Sequence, residues 1–127
     1  MTNSIQTGDR IAIVTGGGQG IGAGICRQLA AAGLTVVVAD IQADKASSVA
    51  AALGSRHASR AVDVSDEAAV VQLFDDVEAH IGPVGVLVCA AGLLILPGGE
   101  RPMIADMSLD TWERSFAVNT RGAFLCS

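Results

Sequence analysis

Residues 15–22 read Thr-Gly-Gly-Gly-Gln-Gly-Ile-Gly, between a run of β-branched apolar residues and a segment with helical spacing. A glycine cluster placed between a strand and a helix has a mechanical meaning that the same glycines in a free loop lack. Gly16 permits a sharp turn as the chain leaves the strand, Gly20 keeps a Cβ out of the way of an approaching ligand, and Gly22 lets the new helix pack tightly. The amides of a helix's first turn have no carbonyl partner, and the helix dipole favours negative charge there. Such a turn is suited to a phosphate or diphosphate. Spacing alone leaves the motif ambiguous, because Gly18, Gly20 and Ala23 also satisfy a G-x-G-x-x-A dinucleotide pattern.

The rest of the chain alternates strand and helix signals. Arg10 to Thr15 reads as the first strand, and Ile21, Ile25, Leu29 and Ala32 form the apolar face of the helix that follows, ended by Gly33. Thr35 to Ala39 is a second strand ending at Asp40, followed by an Ala-rich helix from Ala43 to Leu53 closed by Gly54. A third strand is expected over Ser59 to Val64. Ser65 should cap a helix with Asp66 and Glu67 in its first turn and Val70, Leu73, Phe74, Val77 and Ile81 as its buried stripe. Gly82-Pro83 ends that helix, and Val84 to Ala90, nearly all apolar, reads as a deeply buried central strand. Gly92 to Met107 is a long loop, and Ser108 caps a last helix on which Leu109, Trp112, Phe116, Asn119 and Ala123 share one side. Right-handed crossovers give an α/β, doubly wound parallel sheet of order 3-2-1-4, with ligand above the carboxyl ends at the switch between strands 1 and 4. With 50% hydrophobic and 17% charged residues the chain can bury a core, so one domain is expected over residues 10–127 after a polar tail at 1–9.

Asp40 falls about 20 residues beyond the glycines, at a strand tip, where a carboxylate can accept hydrogen bonds from both adenosine ribose hydroxyls and repel a 2′-phosphate. Neither Gln19 nor Ile41 brings a positive charge to offset that repulsion, so NAD is expected rather than NADP. Net charge is −5, and the seven Arg and single Lys form no stripe, which excludes a nucleic-acid footprint. The longest apolar run, Val84 to Leu96, is too short and Gly-broken for a membrane span, and residues 1–9 do not look like a leader, so a cytoplasmic protein is expected. Cys26, Cys89 and Cys126 lack disulfide or zinc spacing and read as reduced, buried thiols. His57 and His80 stand apart from any ligand cluster, so no metal is expected. From the residues alone, Asn119 on an apolar helix face is most simply a satisfied core polar group.

In order and at matching spacings the chain carries T-G-x-x-x-G-x-G at Thr15 to Gly22, Asp40, the pair Asp63-Val64, A-A-G at Ala90 to Gly92, and N-x-x-G at Asn119 to Gly122. This set resembles the short-chain dehydrogenase/reductase family from about residue 9 to the end of the chain. The resemblance implies a Rossmann-type fold and an NAD-dependent oxidoreductase acting on a secondary alcohol or ketone. It places Gly16, Gln19, Gly20, Ile21, Gly22, Asp40 and Ile41 at the cofactor, Asp63 and Val64 at the adenine, and Ala90, Ala91 and Gly92 along the ribose and nicotinamide path. Asn119 matches the family's catalytic asparagine, whose carbonyl anchors a water in a proton relay. A homo-oligomer, dimer or tetramer, is implied through the helix that carries Asn119.

Two departures stand out. Where the family reads N-N-A-G this chain has Cys89-Ala90-Ala91-Gly92, so side-chain amide bonds worth about 1 kcal/mol each are missing. The family's Ser and Tyr-x-x-x-Lys lie beyond the Asn helix, and the 127 residues contain no Tyr, while Lys45 on the second helix cannot replace that Lys. The segment is therefore expected to be incomplete relative to the family and to supply the cofactor site. A noncatalytic NAD-binding or dimer-forming module is the alternative. A methyltransferase is disfavoured, because its fingerprint does not include the Asn119 helix. Leu93 to Leu96 would give the substrate an apolar wall.

Overall fold

Four parallel strands form one sheet in the order β3-β2-β1-β4, as the alternation of elements implies. A computed structural model describes residues 10–93, 99 and 102–127; the polar tail at 1–9 and most of the apolar wall at 93–96 lie outside them. The central strands are β1 (Ile11–Thr15) and β2 (Thr35–Asp40), flanked by β3 (Ala58–Ala61) and β4 (Val84–Cys89). Register aligns Thr15 with Ala39 and with Cys89, and Asp40 with Ala61, so all four carboxyl ends meet along one edge.

Alternation along the strands builds two layers. Ile11, Ile13, Val37 and Ala39 face one side, where Val70, Leu73 and Val77 of α3 (Glu67–His80) and Cys126 of α5 (Gly122–Cys126) cover them. Val14, Val36 and Val38 face the other, under Cys26 of α1 (Gly20–Ala31) and Ala46 and Ala50 of α2 (Ala43–Leu53). Small residues on α1 and α2 let these helices sit close to a valine-rich sheet. Burial pushes the Cys26 thiol up to about 11, so it packs as a neutral apolar group.

Several boundaries differ from those expected. Strand β3 ends at Ala61 rather than Val64; Val62 still donates its N–H to the Asp40 carbonyl at 3.0 Å, after which Val62 and Val64 turn into the core. Asp66, not Ser65, caps α3, accepting from the Ala69 amide, because Ser65 is taken up by Asp63, whose Oδ1 accepts from both its amide and its hydroxyl. Strand β4 is half-buried rather than deeply buried, because β1 is its one partner among the described residues, and Cys89 at its tip is exposed rather than a buried thiol. His57 is a half-buried part of the ladder: its Nδ1 accepts from the Val36 amide at 3.0 Å, one residue before β3 pairs with β2.

The last helical segment is not continuous. Ser108 caps α4 (Leu109–Phe116) as expected, accepting from Thr111, but Ala117–Arg121 forms a wide π turn before α5. The extra residue shifts the phase, so Phe124 takes the place expected of Ala123 on the outward face. Trp112, Phe116, Thr120 and Phe124 line a groove of about 680 Å³, and the Trp112 and Phe116 rings lie 4.3 Å apart.

Candidate functional site

The glycine segment is shaped by what surrounds it. Gly16 has φ 66°, and a Cβ there would stand 2.6 Å from the backbone of Ala91, so the turn is pressed against the chain leaving β4. A Cβ on Gly22 would lie 2.1 Å from the Gly16 carbonyl oxygen. The tight packing expected of Gly22 is thus against the turn itself. Gly20, with φ 56°, is the opposite case: a Cβ there would meet nothing within 4 Å. The first bond of α1 runs from the Ala23 amide to the Gln19 carbonyl, so Gly20, Ile21 and Gly22 lie in the first turn, where a helix offers its amides no carbonyl. An open glycine surface above these amides fits an anionic diphosphate.

Asp40 closes the loop from the side. It is 7% exposed, and its two oxygens accept one backbone amide each, Gly18 at 3.0 Å and Gln42 at 2.9 Å. A carboxylate has about four acceptor positions, so capacity for ribose hydroxyls remains. The backbone pairs Gly17 N–H with the Ala39 carbonyl, which holds the turn on the tip of β2. Ile21 and Ile41 are exposed on the rim beside it.

The other residues named from sequence are distributed along the same edge. Asp63 is exposed and engaged by Ser65, whereas Val64 is 6% exposed and points into the core against Gly122. Ala90 donates its amide to the Thr15 carbonyl at 3.1 Å. Asn119 sits in the π turn, and its exposed amide is engaged at both ends: Oδ1 accepts from Leu93 N–H at 2.6 Å and Nδ2 donates to the Leu93 carbonyl at 3.0 Å. It is a clamp on the chain after Gly92, not a core polar group.

Two contributors escaped the sequence reading. Thr15 is buried, and its hydroxyl makes long bonds to the Val88 carbonyl (3.5 Å) and from the Ala91 amide (3.4 Å), tying down the segment that lacks the family's asparagines. Lys45 reaches back to the glycine turn, its Nζ donating to Gln19 Oε1 at 2.6 Å. Its place five residues past Asp40, in the first turn of a helix that starts right after a two-residue connection, was the signal available.

The model of the short chain dehydrogenase family matches residues 10–127. The chain belongs to that family. Among similar short-chain dehydrogenases, the sorbitol-6-phosphate 2-dehydrogenase of Escherichia coli (strain K12) is 36% identical over 94% of this chain and 46% of its own length. The 2,3-dihydro-2,3-dihydroxybenzoate dehydrogenase of Bacillus subtilis (strain 168) is 36% identical over 93% of this chain and 44% of its own. In structure the chain is similar to a 3-ketoacyl-(acyl-carrier-protein) reductase from Brucella melitensis complexed with NADH, with a TM-score of 0.85 and 30% identity over 92% of this chain and 46% of that one. The chain spans about half the length of these short-chain dehydrogenases. Among the described residues no group of three or more His, Cys, Asp or Glu could hold a metal, and no helix is long and apolar enough to cross a membrane.

Proposed function

We propose that the protein is an NAD-dependent oxidoreductase moving hydride between the nicotinamide and a secondary alcohol or ketone, and that residues 10–127 form its cofactor-binding segment. The observation that carries this reading is the Asp40 carboxylate, held by Gly18 and Gln42 beside an open glycine turn at a helix start. Gly16, Gln19, Gly20, Ile21 and Gly22 would cradle the diphosphate side. Asp40 and Ile41 would meet the adenosine ribose, Asp63 and the Val64 backbone the adenine, and Ala90 to Gly92 the path toward the nicotinamide. A bound nicotinamide supplies the hydride-exchanging carbon. Asn119 would act at the reacting end, where its grip on Leu93 fixes the backbone beside that path.

The NADH carried by the similar Brucella reductase supports a nicotinamide dinucleotide; the preference for NAD over NADP rests on Asp40. We read the uncovered Trp112, Phe116 and Phe124 row as a homo-oligomer surface, and the protein as cytoplasmic. Calorimetric titration of the protein with NAD and NADP tests the cofactor. NAD should bind more tightly, and Asp40→Ala should weaken NAD by about tenfold or more, the cost of losing charge-assisted bonds. Tighter binding of NADP to the wild type would overturn the carboxylate argument.

A further inference from the structure

The glycine turn carries a charge that the NAD reading does not use. Lys45 is the single lysine of the chain and the third residue of α2, in the first turn, where the helix dipole makes a cation unfavourable. Nothing in the packing asks for an ammonium there: Lys45 takes part in neither ion pair among the described residues, and its Nζ is exposed on Gln19. Its stem is half-buried against the turn. A Cβ built on Gly18 would stand 2.9 Å from Asp40 Oδ2 and 3.0 Å from Lys45 Cβ, so the carboxylate and the base of the lysine flank the same glycine. The ammonium, held by Gln19, and the Asp40 carboxylate, held by the Gly18 amide, thus both attach to the same glycine turn.

We propose that Lys45, steered by Gln19, is a cofactor-specificity residue that lets the site at Asp40 admit a 2′-phosphorylated adenosine as its weaker ligand. The proposal rests on the nicotinamide-dinucleotide reading above and adds a determinant to it. Asp40 alone would repel a 2′-phosphate through a short, largely buried path, whereas an exposed ammonium attracts it through solvent. The two oppose each other, with Asp40 dominant because it is buried and anchored by two amides.

The test is calorimetric binding of NAD and NADP to the wild type and to Lys45→Met, Lys45→Arg and Gln19→Leu, none of it requiring turnover. NADP should bind the wild type measurably, though less tightly than NAD. Lys45→Met should weaken NADP roughly fivefold while changing NAD less than about twofold, the scale of an exposed charge–phosphate contact. Lys45→Arg should restore NADP binding, and Gln19→Leu, read as the ratio of NADP to NAD affinity because Gln19 also belongs to the diphosphate cradle, should fall between. The Lys45→Met deficit should shrink as salt is raised. A purely structural lysine would weaken both cofactors alike, and that result, or no change in NADP, overturns the proposal while leaving the NAD reading intact. Failure of the wild type to bind NAD would instead overturn the reading on which both stand.

Discussion

Asp40 and Asn119 do the same thing at two ends of one edge: each holds neighbouring backbone through two hydrogen bonds. Their surroundings differ. Asp40 is 7% exposed at the tip of a central strand whose other residues from Val36 on are buried, and it is pinned by the four-residue glycine turn on one side and a two-residue connection on the other. Asn119 is exposed, sits in a distorted helix, and grips a chain that leaves a half-buried edge strand. The Asp40 end of the edge is thus built into the core, while the Asn119 end hangs on side-chain bonds that water can contest; on the proposed reading these would be the adenosine end and the reacting end. On that reading, rigid recognition would belong to the first and adjustable positioning to the second.

Three measurements can break or sharpen that contrast. The largest effect should come from Gly22→Ala, which forces a methyl into the Gly16 carbonyl; it should cost about 3 kcal/mol or more in urea unfolding and abolish NAD binding with it. A variant that keeps both would show the turn to be soft. Asn119→Ala should cost less, about 1 kcal/mol, since its bonds are exposed, yet in the intact enzyme of the proposed reading lower kcat far more than it raises the Kd for NAD. Equal losses in both would place Asn119 on the adenosine side of the comparison.

The smallest effect concerns His57. Burial and the neighbouring Arg56 hold its imidazole below the usual 6.5, and its Nδ1 must stay unprotonated to accept from Val36. Because the folded form binds its proton less readily than the unfolded one, the stability it contributes is complete above pH 6.5 and falls away as pH drops toward the depressed value. Denaturation midpoints followed below that pH should decline in the wild type, with a shallower decline in His57→Gln. Identical slopes would remove His57 from the ladder's account.

The strand order and the two-layer core were legible because β-branched runs and helical spacing alternate without interruption from residue 10 to residue 90. Gly16, Gly22 and Asp40 were legible for a local reason: a sharp turn, a close approach and a strand tip leave little choice of residue type. What misled the reading was competition between neighbours. Ser65 looks like a cap until Asp63 captures it, and Asp66 then caps instead. Val84 to Ala90 carries the apolarity of a covered strand, and in a segment that spans about half the length of its relatives β1 is its one partner among the described residues. Lys45 was weighed only as a replacement for the family's catalytic lysine, so its reach to Gln19, 26 residues away, went unread.

In a regular helix, every fourth residue advances about 40° around the axis, so a row so spaced winds away like a screw thread. The wide turn at Ala117–Arg121 advances less per residue and cancels that winding. Trp112, Phe116, Thr120 and Phe124 therefore stand as a straight keel, while Gly122 on the inner side stays seated on Val64. One additional backbone residue in a single turn sets both the outline of the hull and its fastening to the sheet.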